Sequence, residues 1–178
     1  MFKTILLALA VLIAAFCAYV AFQPSAYHVV RETRIAAPPD AVFALVNDFH
    51  NWDAWSPWAK LDPAMKTTYS GASAGTGAVY EWTGDSKVGA GRMTILESKP
   101  YEKVRINLEF LKPFASVSDT EFTIKPDGTG AAVTWSMAGD NNFIAKAFMT
   151  FTGGMDKAIG PDFDRGLAQM KAAAESKK

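Results

Sequence analysis

Seven segments of this chain alternate apolar and polar residues with a period of two, and glycine, proline or charged turns separate most of them. Such alternation is typical of strands with one buried face, and a spacing of about a dozen residues suits hairpin connections. We therefore expect one meandering antiparallel sheet. The predicted strands are Tyr27–Ala36, Thr67–Ser70, Ala78–Thr83, Gly91–Ser98, Lys103–Leu111, Ser116–Lys125 and Ala131–Gly139.

After Asn142 the apolar period changes from two to between three and four, which predicts a long C-terminal helix. Gly153-Gly154 and Gly160-Pro161 interrupt this pattern and predict a break or kink. A sheet with one apolar face needs a cover, and we expect this helix to supply it. Its apolar stripe is Ile144, Ala147, Phe148, Phe151, Met155, Ile159, Phe163, Leu167 and Met170.

Two short elements are predicted after the first strand. Pro38-Pro39 ends the strand, and Asp40 is placed to cap a short helix over Ala41–Asn47. A segment rich in aromatic and turn residues follows, HNWDAWSPWAKLDP. The order of elements predicts an α+β fold in which a curved sheet of about seven strands wraps on the long helix.

Residues 5–22 are eighteen consecutive apolar positions behind a single charged residue, Lys3. As a helix this run reaches roughly 27 Å, close to the hydrocarbon thickness of a bilayer. It is longer than the about 7–15 residues of a signal-peptide core and ends without a small-x-small site, so we predict an uncleaved transmembrane helix. A cleaved signal peptide and lipidation at Cys17 are the alternatives.

The chain is accordingly divided into an anchor at residues 1–26, a ligand-binding domain at 27–174 and a polar tail at 175–178. A short basic N-terminus commonly stays in the cytoplasm, so we expect a single-pass protein with its domain outside the cytoplasm. The anchor contributes nothing to the domain core, and the domain is expected to be a monomer.

Composition excludes several classes of function. Lys3 is the only charged residue of the anchor, so residues 27–178 carry a net charge near −1 and no basic patch, which argues against a nucleic-acid partner. Cys17 is the only cysteine and lies in the apolar run. Disulfides, thiol nucleophiles and cysteine-rich metal sites are therefore excluded from the domain.

Four stretches together resemble a known family: IAAPPDAVFALVNDFHNWDAWSPW, GTGAVYEW, GAGRMTILESKP and DFDRGLAQMK. With the order of elements, they resemble the START-like, helix-grip (Bet v 1-like) proteins, and more narrowly the polyketide cyclase/dehydrase type of the SRPBCC group. The resemblance covers about residues 27–174. It implies a helix-grip fold with an apolar cavity between sheet and helix, but it does not specify a function, because this fold serves carriers, binders, cyclases and chaperone activators.

Successive side chains of a strand point to opposite faces of the sheet, so this strand parity predicts which side chains would line such a cavity. Leu108 and Phe110 face inward on one strand, and Ser118 and Thr120 face inward on the next, where their hydroxyls could orient a polar group of a ligand. The same positions could instead fill a core. The predicted lining comprises Trp52, Trp55, Trp58, Tyr80, Trp82, Ile106, Leu108, Phe110, Ser118, Thr120, Phe122, Trp135, Met137, Phe148, Phe151 and Met155.

Trp52, Trp55 and Trp58 place three indoles within seven residues. They could plug the open end of the sheet, form a mobile gate over a cavity, or lie at the membrane interface, since tryptophan has an apolar body and a polar N–H.

No catalytic constellation is visible, so we predict no catalytic residue, no metal and no cofactor. The two histidines, His28 and His50, are far apart in sequence, and His50 at a cavity mouth is the only candidate base among them. By the parity of their apolar neighbours, Glu81, Glu109 and Glu121 are expected to face solvent or to pair with Arg92 or Arg105 across strands.

Three functions follow as hypotheses. The leading one is a membrane-tethered binding domain for a hydrophobic small molecule, such as a lipid, an isoprenoid or an aromatic, polyketide-like compound. The second is a cyclase or dehydratase acting on such a ligand, with His50 or a buried carboxylate moving protons. The third is a protein-interaction module of the chaperone-activator kind, which would expose an apolar patch around a filled cavity.

Overall fold

The computed structural model describes residues 1–176 and contains one sheet, four α-helices and one 3₁₀ helix in that range. Lys177 and Lys178 of the predicted tail lie outside the described residues. In chain order the elements are α1 (Phe2–Phe22), β1 (Ala26–Ile35), α2 (Pro39–Asn47), a 3₁₀ helix (Phe49–Ala54), β2 (Lys66–Gly71), β3 (Ala78–Thr83), β4 (Ala90–Lys99), β5 (Lys103–Lys112), β6 (Ser116–Asp127), β7 (Gly130–Asp140), α3 (Phe143–Thr152) and α4 (Met155–Glu175).

The seven strands form one antiparallel sheet in the order β1-β7-β6-β5-β4-β3-β2, which confirms the predicted sheet. β2 to β7 follow one another as hairpins, whereas β1 pairs with the last strand, from Ala26 opposite Asp140 to Ile35 opposite Ala131. In β4 the register shifts between Ile95 and Glu97. Such a bulge adds one residue and bends the strand, and here it leaves Leu96 exposed on the outer face.

Helix α2 begins two residues earlier than the sequence predicted, so the expected cap at Asp40 is wrong. Pro38 is the N-cap residue, Pro39 is the first helical residue and Asp40 lies in the first turn. The fixed φ of proline suits the first helical position, because its missing N–H would have had no helical partner. Asp40 still places a negative charge at the positive end of the helix dipole.

The helix predicted after Asn142 is divided into two at Gly153-Gly154, the first of the two interruptions that the sequence predicted. α3 ends at Gly153 (φ 83°), and Gly154 (φ 101°) precedes α4. Of these two helices, α4 packs against the sheet and buries Phe163, Leu167 and Met170 at helical spacing. α4 continues as one helix through Pro161.

A charged cluster fastens the first half of α4 to β1. The Arg31 guanidinium donates to Asp156 at 2.8 and 3.2 Å and to Asp164 at 3.2 Å. The hydrogen bond from Arg31 holds the pKa of the Asp156 carboxyl below its usual range.

Helix α1 lies outside this core. Val20 is its one buried residue, and its closest neighbour is α3, where the Phe16 and Phe151 rings are 5.7 Å apart. Lys146 Nζ donates to the carbonyl oxygens of Ala21 and Gln23, both at 3.1 Å. In the part of the chain that the structure describes, α1 alone is long and apolar enough to cross a membrane, with a mean hydropathy of 2.8.

Candidate functional site

A cavity of about 260 Å³ lies between the concave face of the sheet and the first half of α4. Typical ligand pockets occupy about 300–1,000 Å³, so this one is suited to a small ligand. Its wall is almost entirely apolar and aromatic. The lining residues are Trp52, Asp53, Ser56, Trp58, Ala59, Met65, Tyr80, Trp82, Lys87, Val88, Met93, Leu108, Phe110, Thr120, Trp135, Met137, Ile159 and Phe163.

The structure brings nine of the sixteen residues that the sequence analysis predicted as lining to this wall. They come from four strands and from the aromatic segment after α2: Trp52, Trp58, Tyr80, Trp82, Leu108, Phe110, Thr120, Trp135 and Met137. Another four are buried but lie off the wall: Trp55, Ile106, Ser118 and Phe122. Ser118 Oγ is engaged elsewhere, 2.7 Å from the Tyr27 hydroxyl.

The expected positions of Phe148 and Phe151 in the cavity are wrong, and Met155 is not part of the wall. Phe148 is 62% exposed and Phe151 is 79% exposed. The break at Gly153-Gly154 turns α3 away from the sheet, so the apolar stripe of α3 does not continue the stripe of α4. Met155 is half-buried and packs against the core.

Several wall residues were missed, most of them because they lie in connections between strands. Met65, Lys87 and Val88 belong to loops, where period-two parity gives no orientation. Met93 precedes the bulge of β4 and keeps its inward parity, which the sequence pattern could have revealed. Ile159 and Phe163 belong to the helical stripe that the sequence identified, but they were not assigned to the cavity.

Trp52 and Trp55 are fixed parts of the fold. Their indole N–H groups donate to the carbonyl oxygens of Val46 at 3.0 Å and Leu45 at 2.8 Å, at the end of α2. The last carbonyls of a helix have no helical partner, so these bonds cap α2. Both indoles are buried, which argues against a mobile gate or a membrane belt at these two positions. Trp58 is half-buried and reaches the cavity.

Trp82 forms the part of the cavity wall beside the β3–β4 hairpin. Its indole N–H donates to the Val88 carbonyl at 2.9 Å, which ties the β3–β4 hairpin over the wall. The opposite residue of β4 is Gly91, and a Cβ there would lie 2.3 Å from the Trp82 ring. Only glycine therefore lets this indole lie flat across β4.

The inner wall is an aromatic stack centred on Trp135. Its ring lies 4.9 Å from Phe122 and 3.9 Å from Phe163, nearly parallel to both. Gly166 of α4 makes room for the stack, because a Cβ there would approach Trp135 to 2.8 Å. The stack joins β6, β7 and α4 and fixes the orientation of the Trp135 indole.

Charged groups are kept off the inner wall. Asp53 and Lys87 are exposed, and Tyr80 is neutral at ordinary pH because burial, followed by the nearby Tyr69 and Asp53, raises its pKa to about 12. On the outer face of the sheet, Glu81 pairs with Arg92 at 2.6 Å, as the strand pattern predicted.

His50 does not reach the cavity. Its ring is exposed, stacks on Tyr69 at 4.1 Å and has Nδ1 2.8 Å from Asp48 Oδ1. It is therefore placed as a surface residue rather than as a base at the cavity mouth. Within residues 1–176, no group of three or more histidine, cysteine, aspartate or glutamate side chains is arranged to hold a metal ion.

Solved structures share this fold. Protein CV1439 from Chromobacterium violaceum is 17% identical with a TM-score of 0.61, over 83% of this chain and 96% of that one. A protein from Rhizobium leguminosarum is 13% identical with a TM-score of 0.63, over 86% and 97% of the two chains. Ara h 8.0201 is 14% identical with a TM-score of 0.57, over 85% and 97%. These identities show likeness of fold alone.

No curated protein matches the chain by sequence. The family model described as "Polyketide cyclase / dehydrase and lipid transport" matches residues 26–175, which is everything from the start of β1 to the end of α4. The chain therefore belongs to the polyketide cyclase/dehydrase and lipid transport family of the SRPBCC group, with the helix-grip fold.

Proposed function

We propose that this protein binds one hydrophobic small molecule in the cavity between sheet and α4, and that α1 holds the domain at a membrane. The observation that carries the proposal is the apolar, aromatic wall around about 260 Å³ of space. Lipids, isoprenoids and aromatic, polyketide-like compounds have the surface that such a wall would bury. A tether keeps the cavity beside the phase in which these ligands dissolve.

The wall supports binding better than proton transfer. Asp53, Tyr80 and Lys87 are the titratable residues among its lining. A general base needs a pKa near the working pH, and the pKa of Tyr80, raised to about 12, leaves that hydroxyl protonated. The cyclase and dehydratase hypothesis therefore has no residue on the inner wall to carry it.

Filling the cavity tests the proposal. Native mass spectrometry of the full chain, released from detergent with N-phenyl-1-naphthylamine present, should show one bound dye per chain. Leu108→Trp should abolish this adduct without the loss of about 1–3 kcal/mol that overpacking costs a filled core. Leu96→Trp, on the exposed outer face of β4, is the matched control and should keep the adduct.

Two outcomes would overturn the binding proposal. One is the absence of any dye adduct on the wild-type chain. The other is an adduct that survives Leu108→Trp while the thermal melt shows a large destabilisation, because this combination would mean that the space around Leu108 is solid.

A further inference from the structure

Two polar atoms of the cavity-lining residues lack a hydrogen-bond partner: Thr120 Oγ1 and Trp135 Nε1. Thr120 is 4% exposed and Trp135 is 2% exposed, so solvent does not replace the missing bonds. The other such atom among the described side chains, Arg105 Nε, lies 3.3 Å from the Asp119 carboxylate on the outer face. Buried polar groups are normally paired, and each exception needs an explanation.

The two groups are neighbours on the inner face of the sheet. Thr120 of β6 lies opposite Met137 of β7, and Trp135 lies two residues before Met137 on the same face. Such diagonal neighbours have backbones about 7–8 Å apart, within reach of one ligand group. The aromatic stack holds the indole in place, whereas the threonine hydroxyl can turn about its side-chain bond to follow an acceptor.

We propose, building on the binding function above, that Thr120 and Trp135 form a polar subsite for one carbonyl or hydroxyl oxygen of an uncharged, otherwise apolar ligand. The indole N–H can only donate, so the ligand group must accept. A hydroxyl donor beside it completes a two-donor site for one oxygen. A charged ligand group would find no counter-charge there, because Asp53 and Lys87 are exposed residues of the cavity lining.

The test compares 2-acetylnaphthalene with 2-ethylnaphthalene, which differ mainly in the carbonyl oxygen. With both probes present at equal concentration, native mass spectrometry of the full chain should favour the ketone adduct. Thr120→Val keeps the shape and should shift the adduct ratio toward the hydrocarbon by about tenfold. Thr123→Val, on the outer face of the same strand, should leave the ratio unchanged.

The comparison separates two failures. If neither probe gives an adduct, the binding function itself is wrong. If both bind and Thr120→Val and Trp135→Phe leave their ratio unchanged, binding stands and the polar subsite is wrong. Thr120→Val should also fold at least as stably as the wild type, because it removes an unpaired buried hydroxyl, so the result does not depend on a damaged fold.

A second inference comes from the edge of the sheet beside the anchor. The strand pairs Ala26–Asp140, Phe110–Ser116, Ala90–Lys112 and Thr83–Ala90 place one end of each of these strands at the same end of the sheet. Large apolar side chains are exposed at this end of the sheet, around the β5–β6 connection and in α3. They are Leu111, Phe114, Val117, Phe143, Ile144, Phe148 and Phe151.

We infer that α3 inserts into the bilayer surface beside α1, which rests on the proposed tether. The occupant is a lipid surface because the apolar face of α3 continues onto α1, through the contact between Phe151 and Phe16. Phe16 lies six residues before the end of α1, so the contact between Phe16 and Phe151 is roughly 9 Å from that end along the helix axis. Interfacial helices bury their apolar face to a depth of about 5–10 Å, which includes this distance. Lys146 sits level with the end of α1, where a lysine can reach the headgroups.

Cysteine accessibility tests this placement in the full chain carrying Cys17→Ser, reconstituted in phosphatidylcholine vesicles. Phe151→Cys should resist a membrane-impermeant maleimide until detergent is added. Gln169→Cys, on an exposed position of α4, should react in both conditions.

Rapid labelling of Phe151→Cys in vesicles that hold the chain would overturn the insertion of α3 and leave the tether intact. Failure of the full chain to enter vesicles would overturn the tether itself. If Phe151→Cys reacts faster with the maleimide when the protein is diluted at constant lipid, a second copy of the chain covers the apolar face of α3. That result would also overturn the assignment of this face to lipid.

Discussion

Individual side chains in this protein divide into those that hold the fold and those that are free for a ligand. Trp52, Trp55 and Asn51 give their N–H groups to the carbonyls of Val46, Leu45 and Ala44 at the end of α2. These bonds make the aromatic segment a rigid rim. Thr120 Oγ1 and Trp135 Nε1 have no hydrogen-bond partner in the protein, which is why we assign them to recognition of a ligand.

The buried hydroxyl of Tyr80 predicts how the stability of the protein depends on pH. Its folded pKa is raised to about 12, above the value near 10 in an unfolded chain, so its contribution to stability is complete below pH 10 and is lost as the pH rises toward 12. The free energy of unfolding should fall by at most about 1.4 kcal/mol per pH unit from this group. Thermal melts between pH 8.5 and 11.5 should show a shallower fall for Tyr80→Phe. Equal slopes for the two proteins would contradict the assigned burial of the hydroxyl.

At the scale of elements, α4 approaches the sheet closely because glycine occupies the contact point. A Cβ at Gly166 would meet the Trp135 ring at 2.8 Å and Pro57 at 3.0 Å. The ring cannot retreat, because Phe163 stacks on it at 3.9 Å. The identity of this one residue therefore sets the spacing between helix and sheet.

Gly166→Ala should consequently lower stability. Overpacking costs about 1–3 kcal/mol, and alanine returns only about 1 kcal/mol of helix propensity. Chemical denaturation should therefore show a net loss on the order of 1 kcal/mol. Ala168→Gly, at an exposed position of the same helix, measures the difference in helix propensity between alanine and glycine without the contact to Trp135. A gain of about 1 kcal/mol for Gly166→Ala would show that the contact is loose.

The elements also show what the sequence can and cannot predict. The strands could be predicted because the alternation of apolar and polar residues is a local pattern and each strand has one solvent-facing side, as in β5 and β6. The course of α3 was not found, since Phe148 and Phe151 continue the helical period of α4 and only the turn at Gly153-Gly154 separates the two faces. For the site, parity located Thr120 and Leu108, whereas Met65 and Val88 lie in loops whose direction depends on the whole fold.

The whole molecule joins an apolar helix to a domain of about 150 residues, which the family match covers from 26 to 175. The lining residues Trp82 and Phe110 lie within two residues of the strand ends that face the anchor. The cavity is thus near the end of the domain from which α1 extends. This arrangement supports the proposed binding of an apolar ligand beside a membrane.

The tether gives a prediction for the complete chain. Full-length protein should remain with membranes through alkaline and high-salt washes, because apolar burial rather than charge holds α1 there. A chain beginning at Gln23 should leave the membrane fraction. Immunoblots of the membrane and soluble fractions show where each of the two chains is found. Recovery of a shortened wild-type chain in the soluble fraction would instead identify α1 as a cleaved signal.

The pairing of the first strand with the last has a consequence for biosynthesis. β1 leaves the ribosome directly behind the apolar segment, but its partner is complete only at Asp140, 105 positions after Ile35. At about 5–20 residues per second, the unpaired strand waits on the order of 5–20 s, with an open edge able to pair with other chains. Closure of the domain is therefore delayed until late in translation, when β7 is made and α4 can bring Asp156 and Asp164 to Arg31.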